Sequence, residues 1–126
     1  MDRAEAWVDQ LTDLSQTQWL AIGGALAADH RGTLVRHDAR RAVDAALETG
    51  ALRLAAWYVR DALETAVFTI SQGMPPCSRD ERGRFAVAHD AAQAAALAQL
   101  AAPYLSNDTV DVLCAPFRLQ GGEWRV

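Results

Sequence analysis

The sequence predicts an all-α fold, a bundle-like domain of about five to six helices, two of them short. Three observations predict it. Alanine, the residue with the strongest intrinsic helix preference, supplies 26 of the 126 residues. Apolar residues recur at three- and four-residue intervals in one segment after another. Between those segments stand Ser, Asp and Asn, which cap helix starts, and Gly and Pro, which end helices.

The first helix is marked by Ala4, Trp7, Val8, Leu11 and Leu14 on one stripe, with Glu5, Asp9 and Asp13 on the other side. Ser15 and Gln18 form a capping box for the second, whose inner face is Trp19, Ile22 and Leu26. Gly23 and Gly24 within it mean either close approach of another helix or a break. Gly32 marks a boundary, after which Asp38 caps a short third helix carrying Ala39, Ala42, Val43, Ala46 and Leu47 and ending at Thr49-Gly50.

The fourth segment, 52–71, carries Leu54, Trp57, Tyr58, Leu63, Val67, Phe68 and Ile70 around most of its circumference, the pattern of a centrally placed helix. Gly73, Pro75 and Pro76 stop it. A fifth helix begins either at Ser78, with Glu81 completing a capping box, or later, near Arg84, if Gly83 delays it. Its apolar set is Phe85, Ala88, Ala92, Ala95, Ala96 and Leu100, small enough for close helix packing, and Pro103 closes it. Ser106, Asn107 and Asp108 cap a last short helix with Val110, Leu113 and Cys114, ended by Pro116. Residues 1–126 read as one all-α domain with 117–126 a loosely structured C-terminal tail.

Lysine is absent, so all twelve basic residues are arginine, against sixteen acids and a net charge of -4. That balance argues against a surface built wholly for nucleic-acid backbones or anionic lipid. Alanine and arginine in place of lysine look like the coding bias of a GC-rich, bacterial genome. The two cysteines, 37 positions apart, form no CxxC or Cys/His set, and Cys114 reads as a small core residue and Cys77 as a loop residue. No signal-peptide pattern opens the chain and no window has the length and apolarity of a membrane span, so a cytoplasmic protein without membrane association is expected.

Each histidine adjoins an aspartate: Asp29-His30, His37-Asp38 and His89-Asp90. The run Val87-Ala88-His89-Asp90, with His37 before it and Asp108 or Asp111 after it, resembles the ligand set of HD-type metal phosphohydrolases. That resemblance implies a divalent metal activating water. It lacks the glycine that usually follows the pair there, and Asp38 and Asp90 read more simply as a cap and a solvent-facing residue.

The stretch from Ile22 to His37, IGGALAADHRGTLVRH, resembles the helix-turn-helix of TetR-type repressors. The resemblance implies that Arg31, Thr33, Arg36 and His37 face DNA, arginine being the residue that most often meets phosphate or guanine. It departs from that pattern by one extra residue, by Ala27 for the turn glycine and by Val35 for an aromatic. Arg31, Arg36, Arg40 and Arg41, with His37, form the densest basic patch of the chain and a candidate surface for nucleic acid or an acidic partner.

Tryptophan is frequent, and aromatic residues with arginine anchor protein interfaces. Trp19 and Trp57 read as core, whereas Trp7, on a terminal helix, and Trp124, on the tail, are the candidate interface aromatics. Arg60 and Glu64, four apart, read as a surface ion pair. The function expected from these readings is a small non-enzymatic helical interaction or regulatory protein that self-associates or binds a protein partner, with no cofactor and no metal. The alternatives are a DNA-binding transcriptional regulator with a degenerate helix-turn-helix around 22–41 and an HD-like metal-dependent hydrolase.

Overall fold

The computed structural model describes residues 2–48, 50–72 and 78–121. Among them are six α-helices: α1 (Asp2–Thr12), α2 (Gln16–Ala28), α3 (His30–Leu47), α4 (Gly50–Gln72), α5 (Arg79–Ala101) and α6 (Asn107–Gly121), with a 3-10 turn at Ala102–Tyr104 between the last two. No strand occurs among the described residues, and the all-α class predicted from the sequence is the one observed. Thr49, the Gly73–Cys77 segment and Trp124 lie outside the described residues.

Both capping boxes form. Ser15 Oγ accepts from Gln18 N–H at 3.1 Å while Gln18 Oε1 accepts from Ser15 N–H at 2.8 Å. Ser78 and Glu81 repeat the exchange at 3.1 Å in each direction, so α5 takes the earlier of its two possible starts, and Gly83 is an interior residue with open space around it. Glu81 is held below the usual carboxylate range by the Ser78 N–H that it accepts.

The axis of the fold is α5, which packs against every other α-helix. All residues from Ala94 to Ala101 are buried, a continuous run that no single stripe would produce. Alanine allows this, because its methyl group keeps the backbones of the surrounding helices close on every side. One buried cluster gathers residues from all six helices around this axis, Trp7, Trp19, Ile22, Leu63, Leu97 and Phe117 being among the largest members. No helix among the described residues is long and apolar enough to cross a membrane.

Gly23 marks the closest approach in the core. A Cβ there would collide with the backbone carbonyl of Arg84 on α5, whereas one at Gly24 would meet only the Arg84 side chain at an ordinary 3.5 Å. Of the two meanings the sequence allows for this pair, helix approach is therefore the one realised, and α2 runs through both glycines unbroken.

Several expectations are corrected. Asp38 is an exposed residue within α3 rather than its cap; the cap is Asp29, nine residues earlier, and α3 extends to 18 residues. Gly32, expected at a boundary, stands in the first turn, where it donates its N–H to Asp29 Oδ1 at 2.9 Å. Pro116 does not end α6, which continues to Gly121 with Phe117 fully buried, so residues 117–121 are helical rather than a loose tail. Burying that ring contributes about 1.5–3 kcal/mol, comparable to the ~3 kcal/mol that an interior proline costs.

The fourth correction concerns α4. It is peripheral: Ala56, Val59, Leu63 and Val67 face inward, while Leu54, Trp57, Tyr58 and Phe68 are exposed on the outer side. Trp7, expected at an interface, is instead fully buried beneath α6, with the Arg118 guanidinium 6.0 Å from its ring centroid. Trp57, expected in the core, is 56% exposed.

Candidate functional site

The basic patch is organised by the start of α3. Asp29 separates α2 from α3 alone, and its carboxylate accepts from Gly32 N–H and from Arg36 Nη1 at 3.3 Å. These two contacts, the backbone donor first, hold the Asp29 carboxyl below the usual carboxylate range. A Cβ at Gly32 would overlap both the Asp29 carboxylate and the Arg36 guanidinium, so glycine here leaves room for the ion pair.

Arg36 also donates from Nη2 to Leu26 O at 3.4 Å and to Thr33 Oγ1 at 3.2 Å, which folds it back over the end of α2. One turn later, Arg40 reaches across to α5, donating from Nη1 to Asp90 O at 3.4 Å and Asp90 Oδ1 at 3.3 Å, and from Nη2 to Gln93 Oε1 at 3.2 Å. Asp44 lies 3.9 Å from Arg40 Nε. Arg31 and Arg41 are exposed and make no ion pair among the described residues.

The predicted patch is thus divided. Arg31 and Arg41 face solvent, while Arg36, His37 and Arg40 line a cavity of about 380 Å³ at the meeting of α2, α3, α5 and α6. Leu26, Val87, Ala91, Ala94 and Leu113 supply its apolar surface, and Asp90 stands at the same rim. The single residue between α2 and α3 is shorter than the three- to four-residue turn of a helix-turn-helix. Two of the four arginines are engaged by protein acceptors.

The residues of the hydrolase-like pattern are not all assembled. His37 and Asp90 share the cavity just described, but His89 faces the opposite side of α5, in a wide cleft with Asp61, Glu64, Phe68 and Phe85. No group of three or more His, Cys, Asp or Glu side chains among the described residues is placed to hold a metal ion. Arg60 does not pair with Glu64; it lines a polar cleft between α3 and α4 with Arg40, Asp44, Glu48 and Arg53, the last two joined at 3.0 Å. Cys114 is buried, its Sγ accepting from Gln99 Nε2 at 3.3 Å, and burial pushes its thiol above the ordinary cysteine value, as befits a core residue.

The second feature is the outer face of α4. Leu54, Trp57, Asp61, Thr65 and Phe68 follow at intervals of three and four, with Tyr58 beside Trp57 and four residues after Leu54, and so lie along one side of the helix. Leu54, Tyr58 and Phe68 are 64%, 52% and 62% exposed, and the Trp57 and Tyr58 rings meet edge-on with centroids 5.2 Å apart. Sequence reasoning missed this stripe because hydropathy alone does not tell an inward from an outward apolar face. Compared with known protein families, with curated proteins and with solved structures, the chain matches none.

Proposed function

We propose that the chain is a non-enzymatic helical interaction protein and that it self-associates through the outer face of α4. The observation that carries this reading is the stripe of Leu54, Trp57, Tyr58 and Phe68, large apolar side chains held in water on one rigid helix. Together they expose on the order of 400 Å² of largely apolar surface, the size at which a patch on a monomer tends to be functional.

The face suits a second copy of itself. An antiparallel partner related by a twofold axis at Asp61 shares one aromatic seam, with Trp57 of each copy toward Thr65 of the other and the two Asp61 carboxylates facing each other at the axis, a repulsion that keeps the association weak. Leu54 and Phe68 lie seven residues either side of Asp61, which lets each pack against the other's counterpart. Two such faces bury an area at the low end of specific interfaces, consistent with a reversible dimer.

Sedimentation velocity across a concentration series tests this. The expected result is a concentration-dependent shift from monomer to dimer that a Trp57→Ser/Phe68→Ser variant abolishes while keeping its helical circular dichroism. A monomer up to about 1 mM, the weakest affinity worth the name of an interface, overturns the proposal. So does a dimer indifferent to the two substitutions.

A further inference from the structure

We propose that the cleft between α4 and α5 is a socket in which each copy of the dimer receives Trp57 of the other, an inference that rests on the outer face of α4 being the self-association surface. The cleft has a volume of about 560 Å³, within the range that holds small organic groups. Phe68 and Phe85 form its aromatic sides, and Val67, almost fully buried, its floor. Phe85 is backed by Trp19, with ring centroids 5.8 Å apart, so that side of the cleft is fixed in place.

Helical geometry brings Trp57 to that cleft. At about 100° per residue, Trp57 and Glu64 are displaced around α4 from Asp61 toward α5, by roughly 40° and 60°, whereas Tyr58 and Thr65 are displaced the other way. A twofold axis normal to two antiparallel helices leaves that flank on the same side in both copies. Trp57, four residues before the axis, therefore comes level with Thr65 of the other copy, between Glu64 and Phe68 at the mouth of the cleft.

The socket also supplies what the indole needs on its polar edge. Indole Nε1–H is a donor only and seeks an acceptor when it is buried. Asp61 and Glu64 are exposed at the mouth and make no hydrogen bond or ion pair among the described residues, so their carboxylates are free to accept it, Glu64 lying on the side toward which Trp57 leans. In the single chain Trp57 is exposed, yet Tyr58 meets it edge-on, which steadies the ring before it docks and lowers the entropy lost. A tryptophan seated in a pocket of the opposing surface is a strong interface anchor, and the twofold supplies two.

Isotope-filtered NOE spectroscopy on a mixture of ¹³C-labelled and unlabelled full chain tests the socket, at a concentration where sedimentation shows a dimer. Cross-peaks are expected between the Trp57 indole of one copy and the Val67 methyls of the other. A double-mutant cycle reads the polar contact: Trp57→Phe, which keeps a ring and removes the N–H, is expected to weaken dimerisation at least about fivefold, the worth of one hydrogen bond. Most of that loss is expected to disappear when Glu64 is already alanine. A dimer without these cross-peaks, or with the same Trp57→Phe effect in both backgrounds, overturns the socket and leaves the α4 face standing. A chain that stays monomeric removes the α4 face and the socket with it.

Discussion

The two adjacent glycines of α2 provide the sharpest test of the packing, because the same substitution has opposite expected signs one residue apart. Alanine gains about 1 kcal/mol over glycine in a helix interior. At Gly24 nothing opposes that gain, since the new methyl sits 3.5 Å from the Arg84 side chain, and Gly24→Ala is expected to stabilise by up to ~1 kcal/mol. At Gly23 the methyl would run into the Arg84 backbone carbonyl, which cannot swing aside as a side chain can. Separating α2 from α5 enough to admit it costs about 2–3 kcal/mol, the upper part of the usual overpacking range because the obstacle is backbone, so the net effect is a loss of about 1–2 kcal/mol.

Urea unfolding followed at 222 nm reads this directly. With a slope of about 2 kcal/mol per molar for a chain of this size, the midpoint is expected to fall by roughly 0.5–1 M for Gly23→Ala and to rise by up to about 0.5 M for Gly24→Ala. Equal slopes confirm that the shifts are changes in stability. If the two variants moved together, and above all if Gly23→Ala stabilised, the close approach of α2 to α5 would be refuted.

Two further expectations follow from single residues. Phe117→Ala is expected to cost about 3–5 kcal/mol, since the ring is fully buried beyond Pro116; a loss under about 1 kcal/mol, typical of an exposed position, would mean that α6 ends at the proline after all. The Asp29 carboxyl is held lower in the folded chain than in the unfolded one, so its stabilising share is whole above the unfolded value and is lost as pH falls through the folded one. Unfolding measured from neutral to acid pH is therefore expected to show the advantage of wild type over Asp29→Asn shrinking as the carboxylate protonates, and an advantage constant down to about pH 2, below the carboxylate range, would contradict it.

The features legible in the sequence are those whose physics is local. Ser15 with Gln18 and Ser78 with Glu81 complete their bonds within three residues, and the stripes of α1 and α2 need only their own periodicity. Burial of Trp7 and exposure of Trp57 depend instead on which helix occupies the centre. The bulky apolar residues of α4 point to it as that helix, yet the small residues of α5 allow closer packing on all sides. The candidate site divides in the same way. Its arginines are visible as a cluster, but whether each is free is settled by Asp90 and Gln93, fifty and more residues from Arg40. The α3 start was obscured by Gly32, which reads as punctuation and is in fact clearance for an ion pair.

The run from Ala94 to Ala101 has a bearing on how this sequence can change over time. Where a core is made of interlocking large side chains, an enlarged residue at one position can be matched by a reduced one opposite, and lineages drift through such exchanges. A run in which five of the eight residues are alanine, enclosed by five neighbouring helices, offers little to trade at those positions, since each alanine is already the smallest side chain that keeps the helix well formed. Substitution is channelled outward, to the solvent side of α3 and the outer face of α4, where a new residue alters what the molecule meets and leaves how it folds untouched.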